Sequence, residues 1–378
     1  MRVGIFTNNY IPIISGVATS VTNFRKGLEN KGHEVYIFAP EFKEYEEKDE
    51  RIFRYPSAPF QYKAKYPVPL PSRTDEQFIK EMGIELIHSQ HPWGIGRSAM
   101  RLSRKHKLPI VFTNHTMYGA YVDYLPPVLP RNWMVSLIEK SAVNYANKAD
   151  AVIAPSKSIK QYLEHVGVSS PISPVPSGLD FIKLKKSPKI DLRKIYKIPQ
   201  DNKIIINVSR IGPEKNLPII LKAYKRILEK ENKVSLVMVG GGTFLNELKL
   251  IASRMGLSEK IIFTGLIDPE EIGGYYREAD IFIHASLTET QGLVMAEAMA
   301  FGLPVVAVKA TGVVDIVEDG VNGYITPETP KALEEKVLGT IYDDQKMKKL
   351  SGGALKTAEK YSISSTTDNL IKVYRSVL

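Results

Sequence analysis

The sequence predicts an α/β protein of two doubly wound, parallel-sheet domains, and three observations carry that expectation. Short apolar runs alternate with helical patterns along the chain, the order that builds βαβ units. The alternation is broken once, at PSGLDFIKLKKSPKIDLRKIY (176–196), a lysine-bearing stretch with no apolar periodicity that reads as a linker. A chain of 378 residues also exceeds what one ordinary core holds. The expected boundary falls between residues 185 and 186.

Taken in order, Arg2–Phe6 is a first strand, followed by a turn region rich in Asn, Pro and Ser. Gly16 leads into a helical pattern, Val17–Leu28, and Glu34–Phe38 is the next strand. Glycine at that junction lets the backbone approach a ligand, although one glycine is a weak signal. Residues 41–76 read as irregular, because Pro67, Pro69 and Pro71 rule out a helix. Ile84–Ser89 is a strand, and the helix Ile95–His106 sets Arg97, Arg101 and Arg104 on one face. That face is either a solvated surface or a contact for an anionic membrane. The strand Ile110–Thr113 runs into His115, at the end of a strand where open α/β sheets bind ligands. A histidine there serves structure or ligand equally well. The stretch after it holds Tyr118, Tyr121, Tyr124 and Trp133 among prolines, and suits a membrane interface, a pocket lining or plain packing. Ala151–Ala154 and Ile172–Val175 close the first set of strands. The second set is Ile204–Val208, Ser235–Val239, Ile261–Thr264, Ile281–Ala285 and Val305–Val308, and a helical segment, Thr366–Val377, ends the sequence.

Composition bounds the function. Hydrophobic residues make up 43% and charged residues 24%, as in a soluble globular protein. Cysteine is absent, which excludes disulfides and thiolate metal sites and makes a reducing cytosol the simplest home. The apolar run in MRVGIFTNNY is too short for a signal peptide, and no run of about 18 apolar residues could span a bilayer. The net charge is +10. Residues 1–185 hold 24 Lys and Arg against 17 Asp and Glu, and residues 186–378 hold 27 against 24, so the excess sits in the first half. Such an excess fits nucleic acid, an anionic membrane or an anionic substrate. Dispersed lysines argue against nucleic acid.

The chemistry concentrates between Ile281 and Val308. A strand breaks into a polar loop, Ser286–Gln291, and resumes as a helix, expected over Gly292–Phe301 and stopped by Gly302 and Pro304. Glu289 precedes that helix and Glu297 lies two turns inside it. Between them the amides of Gly292, Leu293 and Val294 open the helix, a natural anion site. Two carboxylates beside a phosphate site suit a ligand with phosphates and hydroxyls, such as a nucleotide sugar. The loop after Val208 adds Arg210 and Lys215, a planar fork and a mobile point charge that suit a diphosphate unless Glu214 neutralises them at the rim. The triple glycine Gly240–Gly242 cradles phosphate or forms a tight turn, and no GxxxxGK[ST] supports a P-loop.

These residues carry a resemblance. SRIGPEKN at 209–216, the run from Thr264 to Val308 with its Glu-x7-Glu spacing, and DIVEDGVNGYI from Asp315 closely resemble glycosyltransferase family 4. ISGV at 14–17, KGHEV at 31–35 and NHTMY at 114–118 extend it over essentially the whole chain. The family implies a GT-B fold, two Rossmann-like domains facing across a cleft, with the C-terminal helix (about 362–378) returning to the first. It implies retaining, metal-independent transfer from a nucleotide-sugar donor, with no cofactor. Carried onto matching positions, Glu289 holds donor-sugar hydroxyls, Glu297 the ribose, and Gly292, Leu293 and Val294 the diphosphate. Arg210 and Lys215 neutralise it, Ile267 flanks the base, Gly16 lets its loop approach the donor, and His115 contacts the transferred sugar. ISGVATSVTNF, NHTMYGAYVDYLPP and TETQG most resemble the branch that glucosylates diacylglycerol from UDP-glucose. A lipid or glycan acceptor, an anionic membrane surface and a cytoplasmic, peripheral location follow as expectations. A GDP-mannose-dependent mannosyltransferase or a transferase to a soluble sugar is the alternative. An epimerase or phosphorylase is less well matched.

Overall fold

The computed structural model describes residues 1–13, 15–42, 44–62, 64–70, 72, 74–115 and 130–378. The chain divides into two compact units: Met1–Gly178 with Ile363–Leu378, and Leu179–Ser362.

The first unit is a seven-stranded sheet with helices on both faces. In sequence its strands are β1 (Arg2–Phe6), β2 (Glu34–Pro40) and β3 (Ile52–Tyr55), then a separate hairpin, β4 (Ser57–Tyr62) and β5 (Ala64–Pro69). β6 (Leu86–Ser89), β7 (Ile110–Thr113), β8 (Ala151–Ala154) and β9 (Ile172–Pro174) follow. The sheet order is β3-β2-β1-β6-β7-β8-β9 and every pairing is parallel. β6, β7 and β8 are buried at every position; β8 is wholly apolar, while β6 and β7 carry the polar His88, Ser89 and Thr113 inside. Two regions expected to be irregular are ordered. β3 adds an edge to β2, and the hairpin pairs Pro59 with Pro67. In a two-stranded sheet each strand is an edge, so proline costs no ladder bond it would otherwise make.

The helix Ile363–Val377 belongs to this unit and packs on the helix Gly16–Asn30, with Leu370, Ile371 and Tyr374 in one core with Val21, Phe24 and Leu28. The Tyr374 hydroxyl lies 2.7 Å from His88 Nδ1, and Thr113 Oγ1 lies 2.6 Å from the other ring nitrogen. The return of the last helix expected from the family is therefore seen.

The second unit repeats the plan. Its strands are β10 (Lys203–Val208), β11 (Val234–Val239), β12 (Ile261–Gly265), β13 (Ile281–His284), β14 (Val305–Val308) and β15 (Gly323–Thr326). They lie in the order β12-β11-β10-β13-β14-β15, all parallel. Strand order reverses between β10 and β13, the switch point at which open α/β sheets bind ligands. The stretch read as a linker is instead part of this unit. Asp180 and Asp191 cap two short helices, Phe181–Lys185 and Leu192–Tyr196. Arg277 donates to the carbonyls of Lys185 (3.1 Å) and Pro188 (3.4 Å), strapping the stretch onto the helix Ile272–Glu278. The boundary accordingly lies at Gly178, seven residues before the expected 185.

Candidate active site

In the second unit the site begins with how β10 and β13 are tied together. Buried Asn207 near the end of β10 donates to the Ile283 carbonyl at 2.8 Å, and Ser209 donates to Asn207 Oδ1 at 3.1 Å. Beyond this staple the chain leaves the sheet as two loops. One runs from Ser209 to a single 3₁₀ turn, Pro213–Lys215, and the other from Ala285 to Gln291.

The two loops meet through a buried ion pair. Lys215 Nζ lies 2.5 Å from Glu289 Oε1, with side-chain exposures of 18% and 14%. His284 Nε2 stands 3.7 Å from the same oxygen. Burial raises the Glu289 carboxyl, but the Lys215 ammonium outweighs it and holds the group below the ordinary carboxylate range. Glu289 is therefore an ionised acceptor at neutral pH. Burial pushes the His284 imidazole down to about 4, so it is neutral. His284 was not singled out in the sequence, where it reads as one more residue of a buried strand.

Arg210 does not join this cluster. Its guanidinium donates to Glu214 Oε1 at 2.7 Å and is 68% exposed, which is the rim pairing held open above. Both cations of the loop thus begin with carboxylate partners.

Gly292 caps the following helix from the left-handed region (φ 64°, ψ 36°), where glycine carries no Cβ penalty. The helix itself is Leu293–Met299, shorter than the expected 292–301. The Gly292 carbonyl already accepts from Met295 N at 2.9 Å. The amides of Gly292, Leu293 and Val294 occupy the first positions, which have no intrahelical acceptor. The Gly312 amide donates to the Glu289 carbonyl at 2.8 Å and steadies the loop from behind.

Glu297 lies deeper along the same helix. Tyr276, itself fully buried, donates to Glu297 Oε2 at 3.0 Å. Burial pushes this carboxyl up to about 7, and the tyrosine bond only partly offsets it. Ile267 follows β12 on a loop where it is partly buried against the core, next to Leu266, which is exposed. The triple glycine serves packing. A Cβ at Gly240 or Gly242 would collide with the carbonyls of Ser209 and Ile211, and Ile211 N donates to Gly241 O at 2.9 Å. These glycines let the 209–211 loop lie against the sheet.

In the first unit, Ser15 caps the helix at Gly16, accepting from Ala18 N at 3.1 Å. A Cβ at Gly16 would meet nothing within 4 Å, so packing within the unit does not require glycine there. His115 is partly buried after β7, with Nε2 2.6 Å from Oε1 of fully buried Gln90. Burial pushes its imidazole down to about 4, leaving it neutral. His91 lies beside it, ring centroids 6.4 Å apart, and its Nδ1 accepts from Asn8 N at 3.1 Å. Residues 116–129, with Tyr118, Tyr121 and Tyr124, lie outside the described residues. The arginine face is not uniform: Arg101 donates to buried Asp75 at 2.7 Å, while Arg97 and Arg104 are exposed. Among the described residues no helix is long and apolar enough to cross a membrane.

Comparison with known proteins bears on the whole chain. The family described as Glycosyltransferase Family 4 matches residues 14–181, and Glycosyl transferases group 1 matches residues 188–357. An alpha-monoglucosyldiacylglycerol synthase of Streptococcus pneumoniae is 35% identical over 316 residues, covering 81% of this chain and 71% of that protein. A GDP-mannose-dependent alpha-mannosyltransferase of Corynebacterium glutamicum is 26% identical, covering 100% of this chain and 89% of its own. Among solved structures, Anabaena Alr3699/HepE in complex with UDP superposes with a TM-score of 0.77 at 20% identity over the full length of both.

Proposed function

The chain belongs to glycosyltransferase family 4, and from that premise we propose that it moves glucose from UDP-glucose, with retention, to 1,2-diacylglycerol or a similar lipid at a membrane surface. The observation that carries the reading is the meeting of Lys215 and Glu289 at the β10/β13 switch point. A nucleotide sugar offers both a new partner: diphosphate oxygens for the lysine and sugar hydroxyls for the carboxylate. Arg210 and the amides of Gly292, Leu293 and Val294 add to the diphosphate site, Glu297 accepts from the ribose, and Ile267 flanks the base. From the first unit, Gly16 lets its loop close over the donor and His115 contacts the transferred sugar as a neutral imidazole.

Transfer then breaks the bond between the anomeric carbon and the diphosphate oxygen. Cations and helix-end amides stabilise the charge that develops there. The acceptor hydroxyl enters from the same face, and its proton passes to the departing phosphate oxygen. These groups supply the neutralisation a divalent metal would give, so the reaction should run undiminished in EDTA.

Membrane contact is supported by the helix Arg131–Ala146, which exposes Trp133 (69%) and Leu137 (58%) one turn apart. An aromatic and an aliphatic side chain stacked this way suit the interfacial layer. Each nearby basic residue, such as Arg97 or Arg104, adds about 1 kcal/mol on an anionic surface. We place the enzyme at the cytoplasmic face of the cell membrane. The test is a donor-by-acceptor screen: labelled UDP-glucose and GDP-mannose, each with anionic liposomes containing diacylglycerol or phosphatidylinositol. Glucolipid from the first donor together with sedimentation on liposomes is expected. Mannolipid would favour the mannosyltransferase alternative, as the Corynebacterium relative does. Neither sedimentation nor glycolipid would refute the lipid reading.

A further inference from the structure

His284 is enclosed by protein, 1% exposed, at the end of β13, its ring nearly parallel to that of Phe282. Neither ring nitrogen has a hydrogen-bond partner, an unusual state for a buried polar group. A neutral imidazole carries one N–H, and the acceptor in reach is Glu289 Oε1, 3.7 Å from Nε2. That distance is too long for a hydrogen bond. The same oxygen is engaged by Lys215 Nζ at 2.5 Å. The carboxylate also bonds the Ser286 hydroxyl, and its Oε1 has two further candidate donors and is closed onto one of them. Any ligand that draws the ammonium away leaves Oε1 to the imidazole, which needs to gain less than about 1 Å to reach normal bonding distance.

We infer that His284 is a positioning residue: when Lys215 turns from Glu289 to the diphosphate of the donor, His284 Nε2–H takes over Oε1 and keeps the carboxylate aimed at the sugar hydroxyls. The inference rests on the donor reading given above and adds a residue outside the Glu-x7-Glu pair and the Arg210–Lys215 loop. It makes Glu289 a group with a resting partner and a working partner. Lysine holds it in the empty site, and histidine holds it in the loaded one. Phenylalanine at 284 would preserve volume and stacking yet offer no donor. Asparagine would restore an N–H on a short side chain.

The test needs no variant to begin. In protein labelled with 15N-histidine, UDP should move the His284 Nε2–H proton downfield as its bond to Glu289 forms, and Lys215→Ala should show the shifted signal without UDP. His284→Phe should bind UDP within about twofold of wild type, while kcat falls about tenfold, the worth of one hydrogen bond, with KM little changed. His284→Asn should recover most of that loss. A His284 proton unmoved by UDP that calorimetry shows to be bound would overturn the inference and leave the donor reading standing. So would His284→Phe turning over like wild type. If neither UDP nor GDP produces heat or any histidine shift, the donor reading falls and takes this inference with it.

Discussion

Between β1 and β6 of the first unit, the loops at the switch point carry amides, hydroxyls and neutral rings; between β10 and β13 of the second, they carry paired charges. Residues 7–15 and 90–94 contain no Lys, Arg, Asp or Glu, whereas residues 209–216 and 285–291 bring Arg210, Glu214, Lys215 and Glu289. The strand order about the two switch points is the same. Topology therefore supplies a crevice twice, and side-chain chemistry decides what each can take. Burial removes charge from the first, holding His91 down to about 3 and His115 to about 4. In the second, burial raises the Glu289 carboxyl, and a lysine 74 residues earlier more than offsets it. The second unit can exchange charged partners with a phosphate. From residues 7–15 and 90–94 the first offers uncharged hydrogen-bonding groups.

That contrast can be broken most sharply at Glu289. Glu289→Ala should lower turnover about 10²–10³-fold, as loss of a group that acts on the reacting sugar does. UDP affinity should hold or rise, because Lys215 loses its competing carboxylate; weaker UDP binding by calorimetry would break the assignment. Next in size, Arg210→Ala combined with Lys215→Ala should weaken UDP binding about 10- to 100-fold, from charge-assisted bonds of roughly 1.5–3 kcal/mol each partly replaced by water. His115→Ala should leave UDP affinity untouched and cut turnover about tenfold, one hydrogen bond's worth. If the first-unit variant also lost UDP, the division of labour would be wrong.

Two smaller effects sharpen the picture. Gly16 and Gly27 share one helix, but a Cβ at Gly27 would collide with Thr367 of the returning helix while one at Gly16 meets nothing. Gly27→Ala should cost about 1–3 kcal/mol by overpacking, lowering Tm by roughly 2–4 °C per kcal/mol. Gly16→Ala should leave Tm unchanged and raise the donor KM. Last, Glu297 has a folded-state pKa of about 7, above its ordinary 4.5. A carboxyl raised in this way binds its proton more tightly when folded, so its contribution to stability declines as pH climbs from 4.5 towards 7. Glu297→Gln should therefore gain Tm relative to wild type between pH 5 and pH 8. Glu289, held low, should contribute no such drift.

Much of this architecture was legible in the residues. Strands such as Val305–Val308 are buried at every position and read as unbroken apolar runs. β3 escaped notice because three of its four residues are only half-buried, and β15 because two of its four are. The 176–196 stretch hid its helices because their aspartate caps and the Arg277 strap act over short, polar segments. Residue types and spacing singled out Glu289, Glu297, Lys215 and Gly292, and the fold brings Lys215 against Glu289 after β10 and β13. Pairings could not be read, since Lys215–Glu289 and Tyr276–Glu297 join residues 74 and 21 apart. Arg210 and Lys215 share one loop in sequence, and their partners and exposure separate them: Glu214 at the rim for the arginine, Glu289 for the lysine.

The helix Ile363–Val377 has one consequence beyond packing. Tyr374 meets His88 across 286 residues of chain, and everything from Leu179 to Ser362 is made in between. A ribosome releases the amino end first. The first unit must therefore wait, with Val21, Phe24 and Leu28 lacking their last neighbours, until residue 374 has emerged. Order of synthesis and order of completion are reversed in this protein. A chain cut after Ser362 would keep every residue of the second unit and deprive the first of its last helix, so the first is the unit such a truncation should destabilise.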